Sequence, residues 1–174
     1  MTVARTADPY PRPRTTPDEP LTRDTGTVDK TPVYFYSSTS NLTGRFAQHL
    51  AELTGRAVHN LADANVRRTE ASGPWVLLTP SYKAGNADEV TLPAGVRSFL
   101  RSAANRRRMV GIIGSGNRNF GVYYQAAARE LATRSGRPVL FEFELAGTPE
   151  DVTHCAQILD DLDAALAASH PVEA

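Results

Sequence analysis

The chain has 174 residues, of which 41% are hydrophobic and 22% are charged, and this composition is typical of one globular domain. Lysine and arginine together number 19, as do aspartate and glutamate, so the formal net charge is zero. This balance argues against nucleic acid or an anionic membrane surface as a partner. A single cysteine cannot build a disulfide framework, a CxxC pair or a zinc site, and we expect a cytoplasmic protein with no signal peptide and no membrane span.

The first 31 residues differ from the rest of the chain because prolines stand there among Arg, Asp and Thr, with almost no large aliphatic side chains. Such a segment cannot bury enough apolar surface to offset the entropy lost on ordering. We therefore predict a disordered, proline-rich tail over residues 1–31, followed by one folded domain over residues 32–170.

From residue 32 onwards, short apolar runs alternate with stretches of helical periodicity. The runs predict strands over residues 33–36, 57–60, 75–78, 109–113 and 139–143, of which the second is weak. The first predicted helix carries Phe46, Leu50 and Leu53 on its apolar face and ends at Gly55. Further helices are predicted after Pro93, over about residues 120–133 and over residues 151–167.

The middle strands are apolar on both faces, which favours a parallel sheet covered by helices on both sides. Right-handed crossovers leave few topologies, and five strands in this length fit the order 2-1-3-4-5. We therefore predict an α/β fold, a flavodoxin-like three-layer sandwich with a five-stranded parallel sheet. Ligands of such sheets bind beyond the carboxyl ends of the strands where the strand order reverses, which here means the loops after strands one, three and four.

The loop after the first strand reads Ser37-Ser38-Thr39-Ser40-Asn41-Leu42-Thr43 and offers five hydroxyls with no Lys or Arg. Together with the free amides of a helix N-terminus, these hydroxyls can hold an anion. The sequence lacks a G-x-x-x-x-G-K-[ST] run, and no G-x-G-x-x-G follows the first strand, so a nucleoside triphosphate or a dinucleotide fits poorly. We predict a site for a small fixed phosphate such as that of FMN; the alternative is simple helix capping.

Two further loops supply residues suited to a flat conjugated ring. In the second loop, Tyr82 can stack on such a ring, although a surface tyrosine is equally compatible with this position. In the third loop, glycines allow close backbone approach and asparagines can hydrogen-bond a ring edge, although a capped turn explains the same residues. The candidate ring residues are Thr79, Pro80, Ser81, Tyr82, Lys83, Ala84, Gly85, Gly114, Ser115, Gly116, Asn117, Asn119, Phe120 and Gly121.

Two motifs in the second half of the chain are similar to those of a known family. The run GNRNFG at residues 116–121 resembles a motif of the NrdI family, the flavodoxin-like activators of class Ib ribonucleotide reductase. The run FELAGT at residues 143–148, followed by Asp151-Val152, resembles that family's FEL-x-GT…DV segment. Residues 33–46 and 79–82 resemble its phosphate loop and its PTY/PSY loop, so the likeness covers about residues 32–167.

The resemblance implies noncovalent FMN, with its phosphate on residues 37–43 and its ring between Tyr82 and residues 117–121. It implies that the reduced protein reacts with O2 and supplies superoxide or peroxide to the dimanganese small subunit of class Ib ribonucleotide reductase, where a tyrosyl radical is assembled. A reductase or redoxin would act as electron donor. The protein would then be a redox accessory flavoprotein rather than a classical turnover enzyme.

Two other functions remain open for a protein of this predicted fold. One is a flavodoxin-type electron carrier, against which the neutral charge argues, since carriers tend to be strongly acidic. The other is a binding module without flavin, suggested by Lys83-Ala84-Gly85-Asn86, where the resembled family has glycines. Cys155 lies on an apolar helical stripe and is predicted to be a core residue.

Overall fold

The computed structural model describes residues 29–82 and 91–169 of the chain. Its strands are β1 (Val33–Phe35), β2 (Val58–Asn60), β3 (Trp75–Pro80), β4 (Met109–Gly116) and β5 (Val139–Glu144). Every neighbouring pair is parallel and the order is β2-β1-β3-β4-β5, so the predicted five-stranded sheet is confirmed. The order reverses between β1 and β3, which places the switch point above these two strands.

Helices cover both faces of this sheet, which confirms the three-layer arrangement. They are α1 (Leu42–Thr54), α2 (Ala64–Arg67), α3 (Ala94–Phe99), α4 (Ala103–Arg108), α5 (Ala126–Ser135) and α6 (Pro149–Ser169), with a 3₁₀ helix at Arg118–Tyr123. On one face, Phe46 of α1 and Leu159 of α6 pack with Val76 of β3. On the other face, Phe99 of α3 and Ala128 of α5 pack with Trp75.

The central strand shows why the sequence predicts a sheet covered on both sides. In β3 every side chain from Trp75 to Leu78 is fully buried, because successive side chains point to opposite faces and helices cover each face. Trp75 also satisfies its indole N–H, which donates to the backbone oxygen of Asn105 at 2.9 Å.

The predicted helix over residues 120–133 is wrong at its start. Gly121 has φ 55° and ψ −119°, and Gln125 has φ 60° and ψ 11°, and neither conformation continues a right-handed helix. The chain therefore makes a short 3₁₀ helix first, and α5 begins only at Ala126. The helix ends at Ser135, two residues beyond the predicted end, with Gly136 in the left-handed conformation after it.

Two smaller expectations also need correction. Leu53 stands at helical spacing from Phe46 and Leu50, yet 57% of its surface is exposed, because the core meets only the first two of these side chains. The short helices α2 and α4 carry too few apolar residues to show a periodicity, and the sequence did not predict them.

The amino-terminal segment just before β1 is anchored to α6. The Thr31 N–H donates to a carboxylate oxygen of Asp163 at 3.0 Å, and Thr31 itself is buried. The predicted disordered tail falls, up to residue 28, outside the described residues. Within residues 29–82 and 91–169, no helix is both long enough and apolar enough to cross a bilayer.

Candidate cofactor-binding cleft

A cleft of about 310 Å³ opens at the carboxyl edge of the sheet, between the loops that follow β1, β3, β4 and β5. Its lining residues are Ser38, Ser40, Leu42, Thr43, Pro80, Ser81, Tyr82, Ser115, Gly116, Asn117, Phe120 and Leu145. None of these side chains is charged, so the cleft offers hydroxyls, amides and apolar surface. It lies where the strand order reverses, as a ligand site of this fold should.

The loop after β1 is held in shape by hydrogen bonds centred on Ser37. The Ser37 Oγ accepts the backbone N–H of Gly44 at 3.0 Å and donates to Asn41 Oδ1 at 3.1 Å. Asn41 has φ 55° and stands in the left-handed region immediately before α1. Ser37 and Asn41 therefore shape the loop from within, and neither lines the cleft.

Four hydroxyls of the cleft lining are arranged as two close pairs. The Oγ atoms of Ser38 and Ser40 lie 2.9 Å apart in an exposed position. The Thr43 Oγ1 and Ser115 Oγ also lie 2.9 Å apart, but this pair is buried and joins the first turn of α1 to the end of β4. Two predicted phosphate-loop side chains, Ser38 and Ser40, thus stand at the surface of the cleft, with Thr43 at its floor.

Tyr82 forms one wall of the cleft and is half-buried. Its N–H donates to the Thr91 oxygen at 3.0 Å, and its ring meets Tyr36 edge to face with centroids 6.2 Å apart. Burial, together with the neighbouring Tyr36 phenol, raises the pKa of Tyr82 to about 12, so its phenol stays neutral at physiological pH. The predicted site residues Lys83, Ala84 and Gly85 lie outside the described residues.

Residues 117–124, hereafter the ring loop, form another wall of the cleft through Asn117 and Phe120. Asn117 organises its start, because its Oδ1 accepts the Asn119 N–H at 2.9 Å and its backbone oxygen accepts the Phe120 N–H at 2.9 Å. The Arg118 guanidinium pairs with the Glu144 carboxylate at 3.3 Å. Asn117 and Phe120 line the cleft, whereas Asn119 is exposed and does not.

The predicted site residues divide into those that line the cleft and those that support it. Ten of them line it, namely Ser38, Ser40, Thr43, Pro80, Ser81, Tyr82, Ser115, Gly116, Asn117 and Phe120. Seven described residues do not, namely Ser37, Thr39, Asn41, Thr79, Gly114, Asn119 and Gly121. Gly114 leaves room for the buried side chain of Gln125, because a Cβ at residue 114 would lie 2.2 Å from Gln125 Oε1.

Sequence reasoning missed two apolar residues of the lining, Leu42 and Leu145. Leu145 follows β5 in the left-handed conformation with φ 56°, and its N–H donates to the Gly116 oxygen at 2.9 Å. Its position directly after the fifth strand was the available signal, because that loop also reaches the carboxyl edge.

A second, wider cavity of about 710 Å³ lies at the amino edge, where Asp29 begins the described chain and Asp163 lies on α6. It lacks both the strand-order reversal and the paired hydroxyls, so the carboxyl-edge cleft is the candidate site. Within the described residues, no group of three or more His, Cys, Asp or Glu could hold a metal ion.

The family model described as NrdI flavodoxin-like matches residues 33–157 of this chain. The chain belongs to the NrdI flavodoxin-like family. This match spans the cleft-lining loops, including the GNRNFG and FELAGT runs on which the predicted resemblance rests. The family prediction is therefore confirmed.

Curated members of the NrdI family are similar over most of their length. The protein NrdI of Bartonella tribocorum is 38% identical over 120 residues, covering 69% of this chain and 86% of that protein. The protein NrdI of Salmonella gallinarum is 41% identical over 120 residues, covering 69% and 84%. A solved short-chain flavodoxin associated with a bacterial microcompartment has a TM-score of 0.52 at 17% identity, covering 78% of this chain and 97% of its own, and thus shares the fold.

Proposed function

We propose that the cleft binds FMN noncovalently and that the protein is a redox activator of class Ib ribonucleotide reductase. The observation that carries the proposal is the position of the NrdI-type loops, which meet in one cleft at the switch point of the sheet; the described lining of this cleft has no charged side chain. Hydroxyls without a cation suit a permanently held phosphate monoester, and a glycine- and asparagine-containing wall suits a flat ring with mixed donors and acceptors.

Each wall of the cleft has a separate task in this proposal. The hydroxyls of Ser38 and Ser40 would donate hydrogen bonds to the phosphate. The buried hydroxyl pair of Thr43 and Ser115 holds the first turn of α1 against the end of β4. Tyr82 and Phe120, which both line the cleft, would pack against the ring and exclude water from it. Because Tyr82 remains a neutral phenol, it adds no negative charge beside the ring.

When bound and reduced, FMN supplies electrons to O2, which yields superoxide or peroxide. We propose that this oxidant passes to the dimanganese small subunit of the reductase for tyrosyl-radical assembly. A reductase or redoxin would restore the reduced flavin, so the protein acts as an accessory flavoprotein rather than as a turnover enzyme. The single cysteine agrees with action in the cytoplasm.

The second candidate is a flavodoxin-type electron carrier, favoured by the fold shared with the short-chain flavodoxin. Charge near the ring distinguishes the two functions. A unit negative charge about 6 Å from the ring would oppose the second electron by roughly 3 kcal/mol at an effective dielectric of 20. The described lining has no carboxylate, and the nearby Glu144 is paired with Arg118, so we expect little opposition.

Flavin content and two reduction potentials test the proposal together. Purified protein should be yellow, should release FMN on denaturation and should rebind added FMN with restored absorbance. In an anaerobic dithionite titration, the two one-electron potentials should lie close together. A protein that takes up no FMN would remove both flavin functions and leave a flavin-free binding module, whereas a second potential far below the first would favour the carrier.

A further inference from the structure

Gln125, immediately before α5, combines three features that are costly for a glutamine. Its side chain is completely buried, its backbone has φ 60°, and its Oε1 has no hydrogen-bond partner within residues 29–82 and 91–169. A residue other than glycine in the left-handed region is strained, and a buried unpaired oxygen loses its hydration. Costs of this kind concentrate near functional sites.

Within the described residues, the Gln125 side chain makes one hydrogen bond, and it closes the base of the ring loop. Its Nε2 donates to the backbone oxygen of Phe143 in β5 at 3.0 Å. The other end of the loop is tied to the same strand end, because the Leu145 N–H donates to the Gly116 oxygen at 2.9 Å. The loop thus leaves the sheet at Gly116 and returns at Gln125, with both ends fastened to the end of β5.

The other side-chain contact of the ring loop to β5 is weaker. Arg118 and Glu144 form an ion pair at 3.3 Å, but 74% of the Arg118 side chain is exposed, and exposed pairs contribute little. The Gln125 amide lies instead in the interior, against Gly114 and Gly116, where a Cβ would lie 2.2 Å and 3.1 Å from its terminal atoms. Buried hydrogen bonds in such surroundings hold geometry more firmly.

We propose that Gln125 is a positioning residue that holds the ring loop, and through it Asn117 and Phe120, in the geometry that binds the flavin ring. The inference rests on the proposed FMN function, because it assigns the loop a cofactor to position. Gln125 itself does not line the cleft, so its influence passes through Phe143 and the returning chain.

The test substitutes Gln125→Met, which keeps the length of the side chain and the left-handed backbone but removes the amide donor. Gln157→Met is the matched control, because Gln157 is exposed on α6 and its amide contacts only Asp161 at 3.2 Å. Both variants are compared with the wild-type chain by FMN titration, by the two reduction potentials, and by amide exchange in flavin-free protein. The loop amides to follow are those of Phe120 and Tyr124, which donate within the loop.

For Gln125→Met we expect FMN to bind roughly tenfold more weakly, with at least one reduction potential shifted. Exchange of the Phe120 and Tyr124 amides should rise roughly tenfold more than that of the β3 amides, which report opening of the whole domain. Gln157→Met should match the wild-type chain in every reading.

The inference would be overturned if Gln125→Met had the same amide exchange in the ring loop and the same FMN affinity as the wild-type chain. Equal acceleration of the loop and β3 amides with unchanged potentials would also overturn it, since Gln125 would then only stabilise the fold. Failure of the wild-type chain to bind FMN would refute the proposed function instead. Amide exchange in flavin-free protein would still show whether Gln125 holds the loop.

Discussion

At Gly44, in the first turn of α1, the backbone leaves no room for a side chain. A Cβ there would lie 2.0 Å from Asn41 Oδ1 and 3.1 Å from Ser37 Oγ, the two atoms that shape the loop after β1. The Gly44 N–H also donates to Ser37. One missing methyl group therefore permits the geometry of the proposed phosphate loop.

We predict that Gly44→Ala weakens FMN binding about tenfold, because Asn41 must move and the hydroxyls of the loop move with it. Thermal stability should change little, since alanine favours a helix over glycine by up to about 1 kcal/mol and offsets part of the strain. The measurement is an FMN titration combined with a melting curve. Gly73→Ala is the matched control, because a Cβ at Gly73 meets no atom within 4 Å; equal affinities for the two variants would contradict this account.

Cys155 is a core side chain, as its place on the apolar stripe of α6 predicted. It is fully buried, and this burial is the main reason why the pKa of its thiol rises to about 12; the charge of Arg56 opposes the rise and that of Asp151 adds to it. Folding therefore favours the protonated thiol. This contribution to the folding free energy is complete below about pH 9, the ordinary pKa of the thiol, and is lost as the pH rises towards 12.

Native protein at pH 8 should accordingly resist a disulfide reagent that releases a coloured thiolate. Burial raises the pKa of the Cys155 thiol far above that pH, so little reactive thiolate forms, and the sulfur is also shielded. In denaturant, one thiol per chain should react within minutes. A native reaction at the rate of a free thiol would show that the face of α6 that carries Cys155 is not packed into the core.

Among the elements, strands were predicted best. The apolar runs at residues 75–78 and 109–113 locate β3 and β4, because strands buried on both faces need apolar residues throughout. The start of α5 could not be predicted in this way. It depends on left-handed backbone at Gln125, a conformation that glutamine rarely adopts and that no periodicity reveals.

The same limit applies to the cleft. Its polar lining was predictable, since hydroxyls, glycines and asparagines collect in loops that the topology brings to one edge. Leu145 is harder to assign, because its position after β5 brings it to the carboxyl edge but an apolar side chain there is equally typical of core packing, and its φ of 56° is not visible in the sequence. Which hydroxyls support the loop and which line it depends on hydrogen bonds such as that of Ser37, which the sequence does not display.

An ion pair between Arg56, which follows α1, and Asp163 of α6 secures the opposite, amino edge of the sheet. The buried Arg56 guanidinium contacts Asp163 at 3.0 Å and donates to the Thr31 oxygen at 2.7 Å. The Thr31 N–H also donates to Asp163, so that Thr31, Arg56 and Asp163 each contact the other two just before β1. A buried charge that loses its partner is costly.

Asp163→Asn should therefore lower the free energy of unfolding by roughly 1–3 kcal/mol in urea denaturation, because Arg56 then keeps only the exposed carboxylate of Asp160, 3.3 Å away. Asp161→Asn is the control, since Asp161 is exposed on the same helix and its loss should cost less than about 0.5 kcal/mol. FMN affinity should stay constant in both variants, because the cleft lies at the other edge of the sheet. Equal destabilisation by the two substitutions would show that the buried pair does not anchor the amino edge.

The two edges of the sheet differ in their contacts: buried polar contacts hold the amino edge, and the candidate cleft opens at the carboxyl edge. The amino edge holds the buried ion pair, two apolar clusters fill the faces of the sheet, and the carboxyl edge is left to polar loops that converge on one cleft. The described walls of that cleft carry no charge, and the chain as a whole is neutral. Such surroundings suit a flavin that accepts two electrons readily and then meets O2.

The most direct measurement is tyrosyl-radical formation in a manganese-loaded small subunit of class Ib ribonucleotide reductase, followed by electron paramagnetic resonance. The subunit is mixed anaerobically with this protein carrying reduced FMN, and O2 is then admitted. Free reduced FMN at the same concentration serves as the control. The account predicts a radical signal well above that control. A signal no greater than the control, from protein shown to carry reduced FMN, would contradict it.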